Sequence, residues 1–394
     1  MHPTFHRDRF TWLVYLSLAF YAYFLNVLGP ITPFLKDELQ LSYTVSSFHF
    51  TAFAIGILFV GLGGHLIVQR IGRRRSLWLG LFGMSLSALF LLMGKSPVIT
   101  IGASFLMGSI GSLILVIVPA VLSDQHEEFK AVALSEANVI ASLFATGAPL
   151  LVGWFAQWLG QWRFALGILA LFPIFMFLGM RNDRAPEISP VHEMSTRSRR
   201  ALPRLFWVYW VALFLGVAVE FCMVFWSADY LEQVLGIGKA SAAQAVSLFL
   251  AAMIMGRVIG SRLVQRFSPR AVVSISILIA GLGFLLFWRT ETVILGLSGL
   301  FLTGLGVANL YPLLLSLAIG AAHGSSDQAG ARATLASGTA ILALPLALGR
   351  FADAVGIRLA FGVVLVLLIS VFLISLIARD TPSTRETFKP LRDA

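Results

Sequence analysis

Glu220 is the residue in this sequence best placed to carry chemistry. It stands in the apolar run VALFLGVAVEFCMVFW, from Val211 to Trp226. At 1.5 Å per residue it lies about 22 Å into its segment, just past the midplane of a bilayer. An ionisable group at that depth costs several kcal/mol and marks a functional site by default. A carboxylate without an ionic partner in apolar surroundings can accept a proton from one side and release it to the other. Proton coupling is therefore the role expected of Glu220. Two others stay open: a direct ligand for a cationic or polyhydroxy solute, and a structural carboxyl bonded to a neighbouring helix. Arg257 is the other charge inside a segment, about eight residues from its cytoplasmic end. Its depth matches Glu220 poorly, and its side chain can snorkel to the surface.

Uncharged polar groups supply the remaining candidates. Tyr23 and Asn26 are three apart and share a helix face, and Asn138, Ser142 and Thr146 recur at four-residue spacing. Asn309 and Tyr311 flank Pro312, where backbone groups can be freed, and Trp226 follows Glu220 by six. In lipid such side chains turn toward the bundle interior. The candidate cavity set is thus Tyr23, Asn26, Asn138, Ser142, Trp226, Asn309 and Tyr311, each with helix packing as its alternative. Pro149 and Pro345 suit helices that bend.

Enzyme chemistry finds little support. His49, His65 and His323 are scattered, and none stands in a catalytic motif. The single cysteine, Cys222, excludes a disulfide framework or a CxxC metal site. There is no P-loop, no filter-like TVGYG element and no loop long enough for a soluble output domain. No cofactor and no metal are expected, and a receptor or intramembrane enzyme is the alternative of another class.

The elements that must position these residues are apolar and long. The chain is 58% hydrophobic and 12% charged, against about 25% charged in soluble domains. Such a chain has half the charge a water-facing surface needs, and lipid removes that need. Twelve segments are long enough to span: roughly 10–35, 46–69, 76–94, 97–122, 132–158, 162–180, 205–231, 241–265, 271–289, 292–321, 328–352 and 356–378. The first is too long for a cleaved signal and reads as a spanning helix. The net charge of +10 does not indicate nucleic acid, because the basic residues sit in short clusters between apolar runs. Placing both termini in the cytoplasm puts about three-quarters of the 29 basic residues inside, as the positive-inside rule requires. The one long polar connection reads as a linker. The expected organisation is a bundle over 1–180, a cytoplasmic linker over 181–204, a second bundle over 205–379 and a cytoplasmic tail over 380–394.

A shift of 196 residues superposes the two halves. Val68-Gln69-Arg70 falls on Val264-Gln265-Arg266, Gly108 on Gly304, and PLLVG (Pro149 to Gly153) on PLALG (Pro345 to Gly349). Duplicated halves are a transporter pattern. With twelve segments in two parallel halves and the turn His65 to Arg74 (HLIVQRIGRR), the chain resembles the major facilitator superfamily. It keeps Arg70, Gly72, Arg73 and Arg74 of that family's G-x-L-x-D-R-x-G-R-R turn, and has His65 and Gln69 where the family has Gly and Asp. The resemblance implies an all-α membrane protein with twelve transmembrane helices in two six-helix pseudo-symmetric bundles, working by alternating access. It also implies a cytoplasmic gate of Gln69, Arg70, Gly72 and Arg73, with Glu136 reaching Arg262 or Arg257 and Arg332 meeting Gln69.

Glu220 with Trp226, Tyr311-Pro312, Ser337-Gly338, Pro345 and Gly349 are similar to the fucose-permease-like proton symporters. The drug–proton antiporter signatures are degraded, with Ser104 in the usual Arg place and Gly147-Ala-Pro-Leu-Leu-Val-Gly153 in span five. The expectation is proton-coupled symport of a small organic solute, with efflux antiport as the alternative. The partners expected are that solute, protons and the bilayer of a bacterial inner (plasma) membrane, for a monomer with both termini cytoplasmic.

Overall fold

A computed structural model describes residues 5–180, 202–322 and 326–378, the side chains of 326, 327 and 331 excepted. The described residues are helical almost throughout. The linker expected over 181–204 falls almost wholly outside them, and His323 and the tail over 380–394 fall outside entirely.

The first half contains α1 (Arg9–Leu39), α2 (Tyr43–Ile71), α3 (Arg73–Met93), α4 (Pro97–Gly111), α5 (Leu113–His126), α6 (Lys130–Leu159), α7 (Phe164–Ala170) and α8 (Phe172–Met180). The second contains α9 (Arg204–Leu235), α10 (Lys239–Leu263), α11 (Pro269–Arg289), α12 (Val293–Val307), α13 (Leu310–Gly320), α14 (Ser326–Val355), α15 (Ile357–Ala360) and α16 (Val363–Ile377). Among the described residues, ten helical stretches are long and apolar enough to cross a membrane. One of them, Pro97–Leu159, turns back at the 3-10 turn Glu127–Phe129 and so crosses twice. The shorter apolar stretch Phe164–Met180 completes twelve spans.

Local sequence sets where these helices begin and end. Asp8 caps α1 by accepting from the Thr11 amide at 2.7 Å. Burial opposes charge on Asp8, but bonds from Thr11 and Gln125 outweigh it and hold the carboxyl below the usual carboxylate range. Gly72, with φ of 84°, makes the turn from α2 to α3 that a side chain would strain. Gly236, with φ of 65°, ends α9 and returns its amide to the Leu231 and Glu232 carbonyls.

The two halves pack alike. Span one lies on span five as span seven lies on span eleven, and span two on span four as span eight on span ten. The repeat is visible in single contacts. A Cβ on Gly108 would strike the Phe53 carbonyl, and one on Gly304 the Phe249 carbonyl, each contact related to the other by the shift of 196. Spans four and ten also break at equivalent places, after Gly111 and after Val307. Large apolar side chains such as Val98 (81% exposed) and Ile294 (79%) cover the outside. In water such a surface would associate; in lipid it is the solvated one.

Candidate functional site

Among the described residues, the ion pairs between the bundles gather at one face. Call the face where α1 begins the terminal face and the opposite one the far face. On the far face, Lys36 near the end of α1 pairs with Asp229 of α9 at 2.5 Å. Asp229 is fully buried and Lys36 nearly so. The Lys36 ammonium also lies 4.0 Å from the centre of the Tyr43 ring. Lys239 at the start of α10 pairs with Asp37, and with Glu232 at 3.7 Å. Asp353 of α14 accepts from the amides of Tyr43 and Thr44, both at 2.8 Å. Those are the first amides of α2, so a carboxylate from one bundle caps a helix of the other.

Apolar packing continues this closure inward. Phe50 and Phe225 stack at 4.1 Å, and Ser247 donates to the Thr146 carbonyl at 2.8 Å. Gly153 lies against Ala240 and Gln244, while Gly349 lies against Ser47, Tyr43 and Trp226. The repeated glycines of PLLVG and PLALG thus each admit the opposite bundle's backbone. Gly349→Val puts a branched side chain into Ser47 and the Tyr43 carbonyl, and overpacking of that kind costs about 1–3 kcal/mol. Counterflow is expected to fall about tenfold or more, while Gly147→Ala, whose Cβ meets nothing, leaves it intact. Equal counterflow in both variants would refute the close approach.

The terminal face is different. Among the described residues no ion pair joins the bundles there. Gln69, Arg70, Arg262 and Arg332 are exposed. Glu136 pairs instead with Arg7 of its own bundle, at 2.5 and 2.8 Å, and accepts from the Tyr15 hydroxyl at 3.2 Å. The expected reach of Glu136 to Arg262 or Arg257, and of Arg332 to Gln69, is not made. With the far face closed, span five meets span eight near the far face, away from those ends. Arg73 bonds Asp124 at 2.7 Å, a partner the sequence reading missed.

The expected cavity residues divide by environment. Trp226 is corrected outright: it is fully buried in the far-face closure and donates to the Pro345 carbonyl at 3.0 Å. Tyr23 is also buried, donating to the Ala165 carbonyl at 2.9 Å to tie span one to span six. Asn309 is buried at the break in span ten and donates to the Gly256 carbonyl at 3.1 Å. Asn26, Ser142 and Tyr311 are half-buried and Asn138 exposed, and Asn26 and Asn138 bond their own helices at Ala22 and Leu134.

Glu220 sits deep in the molecule and is half-buried. Arg257 is exposed and within electrostatic range of it, contrary to the depth argument. Both helices meet the span-ten break, where Asn309 holds α10 at Gly256 and Gly216 of α9 rests on Leu310. Tyr311 lies in range of both charges, with Ser337 beside its phenol. Ten residues before Glu220 on α9, Trp210 stacks on Phe214 at 6.1 Å and donates to the Arg332 carbonyl at 2.8 Å.

Sequence reasoning missed Asp229, Lys36 and Asp353. A usable signal was present: Lys36 and Glu232 are 196 apart, so the repeat places opposite charges at matching ends of spans one and seven.

Residues 14–322 and 235–394 match the family model described as Major Facilitator Superfamily. An uncharacterized MFS-type transporter of Yersinia pestis is 28% identical over 42% of this chain and 44% of its own. An uncharacterized transporter, y4wD, of Sinorhizobium fredii is 35% identical over 41% and 42%. The chain thus spans less than half the length of these two relatives. The glucose/mannose transporter GlcP of Bacillus subtilis is 25% identical over 76% of this chain and 78% of its own. Among solved structures, an inward-facing, occupied bacterial homolog of the human lysosomal transporter Spinster is similar at a TM-score of 0.75. It is 14% identical, covering 95% of this chain and 98% of its own. A point variant of the nucleoside transporter NupG is similar at 0.75, with 12% identity over 94% and 98%. These likenesses show the fold.

Proposed function

The chain belongs to the Major Facilitator Superfamily, and on that footing we propose that it is a secondary active transporter that moves a small polar organic solute by alternating access, in symport with protons. The observation that carries this reading is the one-sided closure. Lys36–Asp229, Lys239–Asp37 and the Asp353 cap shut the far face, while the terminal-face arginines stand apart. A bistable pair of bundles with a polar site between them alternates by rocking about that site. In this reading Glu220 carries the proton, and the bundles comprise 1–180 and 205–379 joined by the linker over 181–204. The terminal face is cytoplasmic, because the basic residues concentrate there. The protein acts as a monomer in a bacterial inner membrane.

The name of the Bacillus relative supports a polyhydroxy solute. The Tyr311 and Ser337 hydroxyls and the Trp210 ring suit one, since hydroxyls need convergent polar groups and ring faces pack on aromatic ones. The test is the pH change in proteoliposomes as each member of a solute panel is added. A saturable, solute-dependent alkalinisation outside the vesicles is expected. Saturable counterflow without proton movement for every solute would leave a transporter without coupling to protons.

A further inference from the structure

Two opposite charges on neighbouring helices, Glu220 and Arg257, have not paired. Glu220 comes from α9 and Arg257 from α10, and neither makes an ion pair within 4.0 Å or a hydrogen bond to another described residue. Packing fixes their neighbourhood. Asn309 grips the turn of α10 that carries Arg257, and Gly216, one turn before Glu220, rests on Leu310 at the start of α13. The other deep carboxylate, Asp229, is already engaged by Lys36 on the far face. Glu136 is engaged by Arg7 near the terminal face.

Charge counting then limits what can bind. With Glu220 ionised, the pair is neutral. With a proton on Glu220, Arg257 is left as an exposed cation with no carboxylate to offset it. A neutral solute does not relieve that charge, and a cation doubles it. A solute with one carboxylate restores neutrality. The planar guanidinium also matches a carboxylate through two parallel N–H bonds, which a point charge does not. Once Glu220 loses its proton on the other side, it competes for Arg257 and expels the anion.

We propose that Arg257 is the anchor for the carboxylate of a hydroxylated monocarboxylate, whose hydroxyls turn to Tyr311 and Ser337. Proton and anion enter together, so one cycle moves no net charge. The proposal rests on the proton-symport reading above and narrows its solute from any polyhydroxy compound to an acidic one.

The test uses proteoliposomes of the full chain with D-glucuronate, D-gluconate and D-glucose as probes. An inward acid gradient is expected to drive uptake of one or both acids at least about tenfold above D-glucose, as a charge-assisted hydrogen-bond pair allows. A membrane potential imposed with potassium and valinomycin is expected to leave that uptake unchanged. Arg257→Gln is expected to lower both uptake and counterflow of the acid about tenfold or more. Arg257→Lys keeps the charge and is expected to keep part of the activity, and melting in detergent shows that both variants are folded. Proton-coupled D-glucose transport that Arg257→Gln leaves unchanged would overturn the proposal, as would absence of exchange with either acid. Acid counterflow that needs Arg257 but moves no protons upholds the anion site and removes Glu220 from coupling instead.

Discussion

Glu220→Gln is expected to reduce solute-driven proton uptake to the leak of empty vesicles, while counterflow of the same solute continues. The amide has the shape of the protonated acid and cannot ionise, so the variant is held in the loaded form of the carboxyl. Counterflow needs the bundles to rock with solute bound, and the groups that close the far face are elsewhere, at Lys36, Asp229 and Asp353. Net uptake needs the empty carrier to return, and that step asks Glu220 to give up its proton and neutralise Arg257. Glu220→Asp retracts the carboxyl by about 1 Å, a displacement that can cost up to about 100-fold in rate while leaving coupling in place. Coupled but slow Asp and uncoupled but exchanging Gln together identify a proton carrier. Loss of counterflow in the Gln variant, with proton movement in neither, would make Glu220 a solute ligand. Undiminished proton uptake would make it a packing residue.

The fold was legible because lipid imposes a coarse rule on sequence. Spans must be long and apolar, and Val211 to Trp226 needs no partner to declare itself one. The repeat was legible for a steric reason, since Gly108 and Gly304 meet the backbones of Phe53 and Phe249 and no other residue fits. Glu220 stood out because a carboxylate inside that apolar run is costly, with proton carrier, solute ligand and structural carboxyl as its three readings. What could not be read was pairing across the bundles. Asp229 lies near the end of its span, where an acid is ordinary, and only Lys36, 193 residues away, makes it part of a lock. Trp226 and Glu220 share one apolar run, yet one is sealed in the closure and the other is half-buried. The break at Asn309, which holds α10 at Gly256, brings Arg257 within electrostatic range of Glu220, and helix lengths alone do not contain that contact.

Asp229→Asn is expected to shift the molecule toward the state open at the far face. The pair at 2.5 Å is desolvated on both sides in the closed state. Removing one partner of a buried pair costs about 3–5 kcal/mol, because the charge left behind loses its compensation. In the open state Lys36 rehydrates and the loss vanishes, so the whole cost falls on closure. At about 1.4 kcal/mol per decade, the closed-to-open ratio drops by roughly two to three and a half orders of magnitude. Spin labels at the exposed far-face positions Gln40 and Gln233 report the gap, and Cys222, being buried, does not compete for label. Longer distances in the variant are expected, and an unchanged distribution would show that the ion pair does not hold the face shut. The double variant Lys36→Met with Asp229→Leu distinguishes a gate from a staple. A buried ion pair nets little against its own hydration, which suits a contact that must break in every cycle. An apolar pair in its place has no hydration to regain on opening. The double variant is therefore expected to close more firmly than either single variant, with short label distances and slower counterflow than wild type. Wild-type rates in the double variant would mean that the apolar packing around Phe50 and Phe225, rather than the charges, sets the pace of opening.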